Sequence, residues 1–177
     1  MASGSEAVFK SVMVHTKKGL ELDVRSFGRN DFAALVQMYK AFEPKRVAQG
    51  LPPPDVPRIA HWLDQLEQKS HALLAWEGNR VAAHTVLCPM PADAVEFTIF
   101  VHQDYREQGV GTVLSRHTLA WAAEIGFSHV YLTTEVSNFR ALRLFRRLGF
   151  RTTSSYGDEV EMKLEFPAAA SVRPQAA

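Results

Sequence analysis

One stretch limits what this chain can fold into more than any other: Val95-Glu-Phe-Thr-Ile-Phe-Val101, then His102-Gln-Asp-Tyr-Arg-Glu-Gln-Gly-Val-Gly-Thr112. The first part is β-branched and aromatic. As a strand it carries Glu96, Thr98 and Phe100 on one face and Val95, Phe97, Ile99 and Val101 on the other. The second part is a turn, Arg106-x-x-Gly109-x-Gly111, that opens a helix over 109–125. Val110, Val113, Leu114, His117, Trp121, Ala122 and Ile125 form its apolar stripe, and Gly126 stops it. Another strand follows at 129–134. Strand, helix and strand in this order predict a right-handed crossover and a parallel pair. At a helix N-terminus the glycines leave N–H groups unobstructed, a site that favours an anion such as phosphate. A plain β-to-α turn uses the same glycines, so the loop alone leaves both readings open.

The rest of the chain must build a sheet around that unit. Runs at 8–14 and 20–27 flank Thr16-Lys-Lys-Gly19 and read as a hairpin. Phe32, Leu35, Val36, Tyr39 and Phe42 have helical spacing, with Asn30 or Asp31 as cap and a stop before Pro44. Residues 43–58 hold Gly50-Leu-Pro-Pro-Pro-Asp55 and read as a loop, followed by a helix near 56–68. Strands at 71–76 and 80–87 flank Glu77-Gly-Asn79, and 88–93 reads as a loop. After 129–134, Ser137 is a candidate cap for a helix at 138–148, closed by Gly149, and a last hairpin spans 150–156 and 160–166. The expected fold class is α/β (α+β): one mixed sheet with helices on its faces. Residues 8–166 form one expected domain, 1–7 a flexible N-terminus, and the Pro/Ala-rich 167–177 a disordered tail.

Composition excludes several classes of function. A net charge of +1 over 177 residues gives no electrostatic footprint for nucleic acid or an anionic membrane. Cys88 is the only cysteine, so there is no internal disulfide and no cysteine metal cluster. The seven histidines lack the short paired spacing of a metal site, so no metal is expected. Residues 1–6 show no apolar leader, and no stretch is apolar enough to span a bilayer, which fits a cytoplasmic protein.

Two motifs resemble the GNAT (Gcn5-related N-acetyltransferase) superfamily. The first is Val101-His-Gln-Asp-Tyr-Arg106-x-x-Gly109-x-Gly111, similar to the family's acetyl-CoA pyrophosphate loop. The second is Asn138-Phe-Arg-Ala141-Leu-Arg-Leu144-Phe145-Arg-Arg-Leu148-Gly149-Phe150, similar to N-x-x-A-x-x-L-(Y/F)-x-x-x-G-F. Gly19, Arg25, Asp31, Glu96, Val101 and His102 further resemble bacterial Pat-type protein lysine acetyltransferases. The resemblance implies a central sheet of about seven strands with about four helices. It also implies that the first parallel strand splays from the next, with the pantetheine arm in the gap against the N–H and C=O of Val101. Acetyl-CoA is the implied co-substrate and an amine the acceptor. A protein lysine leads over a small amine such as an aminoglycoside, polyamine or amino acid. Homodimers are common in the family.

The chemistry assigns roles within that frame. An amine with an ordinary pKa near 10.4 must lose a proton to attack a thioester. Glu96 is the leading base, as the resemblance implies, and burial beside Phe100 and Val86 is expected to make it a better one. Glu135 and His84 are the further candidates. A backbone N–H at Phe100 or Val101 is placed to stabilise the oxyanion. The N–H groups of Gln108, Gly109, Val110, Gly111 and Thr112 are expected to hold the pyrophosphate, with Arg106 adding charge and Asn138 an amide contact. Many family members carry a tyrosine where this chain has Phe145, which has no proton to give. It is expected to pack on the cofactor, and CoA must then leave as thiolate or draw a proton from Tyr131, Tyr105 or Tyr156. A non-catalytic acyl-CoA-binding module is the alternative that Phe145 supports and Glu96 opposes.

Overall fold

The computed structural model describes residues 8–44 and 51–167. The flexible N-terminus expected at 1–7 and the tail beyond Pro167 lie outside the described residues. The elements run β1 (Val12–His15), β2 (Glu21–Ser26), α1 (Phe32–Ala41), α2 (Val56–Lys69), β3 (His71–Glu77), β4 (Arg80–Met90), β5 (Ala94–Val101), α3 (Val110–Glu124), β6 (His129–Glu135), α4 (Phe139–Arg147), β7 (Arg151–Tyr156) and β8 (Glu159–Glu165). Eight strands, one more than expected, form one sheet in the order β1-β2-β3-β4-β5-β6-β8-β7. Every pair is antiparallel except β5 and β6, which run parallel as the crossover requires.

The two faces are covered unequally. On one, α3 and α4 bury Leu114, Trp121, Leu142 and Phe145 against Val95, Phe97, Leu132 and Met162. On the other, α1 and α2 bury Leu35, Tyr39, Ile59 and Leu63 against Leu74, Trp76 and Phe100. That second cover ends near the middle of the sheet. Beyond it, residues of β6 and β8 such as Thr133, Glu159 and Glu161 stay exposed, whereas Val160 and Met162, on the α3–α4 side, are buried.

Local chemistry explains where the strands and helices stop, including three departures from expectation. Asp31 precedes α1 but accepts from the Gly28 N–H at 3.0 Å and pairs with Arg25 at 3.1 Å, so its side chain does not cap that helix. Asn138 rather than Ser137 caps α4, its Oδ1 accepting from the Ala141 N–H. Residues 88–90 extend β4 rather than form a loop, because Cys88, Pro89 and Met90 pair with Glu96, Val95 and Ala94. The turn is then short, with Ala92 and Asp93 at positive φ. Gly149 ends α4 in the left-handed region, at φ +98°. There the Phe150 N–H reaches the Phe145 carbonyl and the Gly149 N–H reaches that of Arg146. That reversal drops Phe150 onto Phe145 and Phe97, which accounts for the closing Gly-Phe of the second motif.

Candidate acetyl-transfer site

The parallel pair opens early. β5 and β6 are in register only at Ala94–His129, Val95–Val130 and Glu96–Tyr131, while β4 pairs with β5 and β8 with β6 along their lengths. Past Glu96 the two strands part. The His102 N–H bonds to the Ala82 carbonyl, and the alternation of an antiparallel ladder then sends the even-numbered amides of β5 toward β4. The backbone groups of Phe97, Ile99 and Val101 face the opening instead. The Phe100 amide therefore belongs to the ladder and cannot serve an oxyanion, and Val101 is the better of the two expected donors. Phe97 and Ile99 face the same opening; only the register reveals them.

At the wide end stands the glycine turn. Gly109 sits at φ +87° just before α3, and Val113 is the first residue to bond back, to the Gly109 carbonyl at 3.1 Å. The amides of Val110, Gly111 and Thr112 consequently have no partner inside the helix, which is the anion-binding end expected from sequence. A Cβ on Gly109 would come within 3.3 Å of Thr16 Cβ, and one on Gly111 within 3.3 Å of Val101 Cγ2 and 3.5 Å of Leu144 Cδ2. The absence of side chains there lets the hairpin turn at Thr16 support the loop and lets α3 approach β5 and α4. Gln108 steadies the turn by donating from Nε2 to the Asp104 carbonyl at 2.6 Å.

Arg106, expected to add charge at the pyrophosphate loop, is engaged by two backbone carbonyls. Its Nε donates to the Val101 carbonyl at 3.0 Å, its Nη2 to the Glu43 carbonyl, and its guanidinium lies over the Phe42 ring. Partial burial lowers its pKa from the ordinary arginine value. The Val101 carbonyl therefore already has a donor, which leaves the N–H as that residue's open group. Asn138 is exposed and spends its oxygen on the α4 cap, so Nδ2 is what it can offer a cofactor. Phe145 is 6% exposed, edge-on to Phe97 and packed on Phe150.

At the narrow end of the opening, on the last rung that joins β5 to β6, Glu96 is exposed. Burial beside Phe100 and Val86 was expected, but Glu96 pairs with Cys88, and the α1–α2 cover reaches Phe100 without reaching the start of β5. Burial and the nearby Glu96 raise the Cys88 thiol pKa, which makes it a poor nucleophile. His84, the third candidate base, is fully buried, with Nδ1 2.7 Å from the Tyr39 hydroxyl and Phe27, Trp62 and Phe100 around its ring. Burial pushes its pKa down to about 3, so it stays neutral and walled off. Glu135 ends β6 far along the opening, accepting from the Ser137 hydroxyl. Among the described residues no group of three or more His, Cys, Asp or Glu could hold a metal ion, and no helix is long and apolar enough to cross a membrane.

Comparison with known proteins agrees with this architecture. Over 74 residues the chain is 30% identical to the [ribosomal protein bS18]-alanine N-acetyltransferase of Escherichia coli K12, covering 42% of this chain and half of that protein. Over 57 residues it is 35% identical to human N-acetyltransferase 8, covering 32% of this chain and a quarter of that one. The chain thus spans half or less of the curated relatives it matches. In three dimensions it resembles the GNAT domain of S. lividans PAT, with a TM-score of 0.77 and 21% identity over 88% of this chain and 97% of that one. Residues 33–150 match the model of the acetyltransferase (GNAT) family, and the chain belongs to that family.

Proposed function

We propose that the protein is an N-acetyltransferase that moves the acetyl group of acetyl-CoA to a primary amine by direct attack, with a protein lysine as acceptor. The observation that carries this reading is the position of Glu96. It is the last residue of β5 paired with β6, its carboxylate is exposed, and the opening between the strands begins at the next residue. A donor laid along that opening would have its pyrophosphate on the amides of Val110, Gly111 and Thr112 and its thioester toward Glu96. The amides of Phe97, Ile99 and Val101 face the same opening and would meet the developing oxyanion.

The face around Glu96 supports a basic, macromolecular acceptor. Register places Glu135, Glu159, Glu161 and Glu165 on the same side of the sheet, against Lys163 and Arg151, and most of this surface is exposed rather than enclosed. An open acidic face suits a lysine carried on a protein better than a small amine that must be surrounded. The similarity to an enzyme named for a ribosomal-protein alanine favours a second acceptor, a protein α-amine.

The test is thiol release from acetyl-CoA with two peptide sets, one offering internal lysines and a blocked N-terminus, the other a free N-terminus without lysine. Acetylation of the first set, lost in Glu96→Gln by about 100- to 10,000-fold in kcat, is the expected result for a general base. Acetylation confined to the second set would replace lysine by the α-amine. Tight CoA binding without transfer to any amine would make the protein a binding module.

A further inference from the structure

The reaction needs a proton for the departing thiolate, and Phe145 cannot give one. We propose that Tyr131 is that donor, an assignment that rests on the acetyl-transfer reading. The chain has four tyrosines. Tyr39 is buried, with its hydroxyl on His84 Nδ1. Tyr105 donates its hydroxyl to Glu77 Oε2 at 2.9 Å, on the far side of β4 from the opening. Tyr156 is 90% exposed at the β7–β8 turn, on the edge of the sheet. Tyr131 alone lies at the opening, directly across from Glu96 on the last rung before β5 and β6 separate.

The groups facing Tyr131 suit the task. From β5 comes Glu96, with Cys88 behind it on β4. From β8 comes Lys163, the cross-strand partner of Tyr131, whose Nζ lies 5.5 Å from the centre of the Tyr131 ring and 2.6 Å from Glu165 Oε1. Cys88 is separated from the opening by the whole of β5, so its thiol is not a competing donor. Register therefore sets an acid and a base side by side at the point where the thioester must react.

The proton accounting closes on this pair. The neutral amine attacks the thioester carbonyl carbon, a C–N bond forms, and the C–S bond breaks with its electron pair on sulfur. The thiolate takes the phenolic proton of Tyr131. The nitrogen gives its proton to Glu96, and the carboxylic acid so formed returns it to the tyrosinate. Amine and thioester become amide and thiol, and both residues are restored without an external donor.

The experiment compares the wild type with Tyr131→Phe, which keeps the ring against Lys163, and with 3,5-difluorotyrosine at 131, whose phenol is more acidic. In Tyr131→Phe, kcat should fall at least tenfold with KM for acetyl-CoA within twofold, and the decline of kcat at alkaline pH should disappear. The fluorinated variant should shift that decline to lower pH. Wild-type kcat and pH dependence in Tyr131→Phe would overturn the assignment. So would an alkaline decline that survives there but vanishes in Lys163→Met, which would make the ammonium the donor. A wild type that releases no thiol with any amine would instead overturn the acetyl-transfer reading, and this assignment with it.

Discussion

The two ends of β5 are built on opposite plans. At its C-terminal end the side chains are packed: Phe100 is sealed under α1 and α2, the Val101 carbonyl is held by Arg106, and Gly111 lets α3 approach Val101 within contact distance. At its N-terminal end Glu96 is exposed and pairs across the sheet with Cys88 and Tyr131. The closed end presents backbone amides in a fixed direction, which requires packing. The open end presents ionisable side chains to solvent, which requires access. Damage at the closed end should therefore appear in stability and cofactor affinity, and damage at the open end in turnover alone.

The largest effect tests the open end. Glu96→Gln should cost about 100- to 10,000-fold in kcat, the range for losing a general base, with an unchanged melting temperature and CoA affinity. A large loss of stability there would break the contrast. At the closed end, Gly111→Val puts methyl groups where Val101 Cγ2 and Leu144 Cδ2 already crowd a Cβ. Overpacking of this kind costs about 1–3 kcal/mol, so denaturant midpoint and CoA affinity should fall together in titrations by fluorescence and calorimetry. Arg106→Met is milder. It removes two donors to backbone carbonyls in a half-exposed setting, a loss of about 1–2 kcal/mol. CoA affinity should drop less than tenfold, because the guanidinium is engaged by Val101 and Glu43. A hundredfold loss of CoA affinity at intact stability would return Arg106 to the phosphates.

The same contrast explains what could be read in the chain. The closed end is a contiguous motif: glycines, a strand and a helix within residues 95–112 carry it, and the Gly149-Phe150 ending is equally local. The splayed pair followed from the resemblance. What sequence hid was contact between distant segments. Thr16 beneath Gly109, Arg106 turned toward Glu43, and Tyr131 opposite Glu96 depend on register and on loop packing that no periodicity encodes. Glu96 shows the limit well. Its strand alternation was legible, but its exposure depends on where α1 and α2 stop, a property of two other segments. The acidic face is hidden for the same reason: its carboxylates are scattered from residue 96 to 165 in a chain of nearly neutral net charge.

The smallest effect concerns His84, which shares a sheet face with Glu96 but lies opposite Phe100, under the helices. Its pKa is lowered by burial from the ordinary 6.5 to about 3 in the folded protein. Between those values the unfolded chain binds a proton that the folded chain refuses. Stability is thus complete above about pH 6.5 and is lost progressively as pH falls toward 3. From pH 7 to 6 the loss amounts to less than about 1 kcal/mol, readable as a shift in urea midpoint. His84→Asn keeps a polar group near the Nδ1 position for Tyr39 and removes the titration. It should lose His84's share of the slope and keep that of His102, whose pKa desolvation also lowers. Because His84 is enclosed, the variant should keep the wild-type pH dependence of kcat. A change in that profile would mean that the closed end exchanges protons with the reaction, and the division of β5 into a packed end and a reactive end would fail.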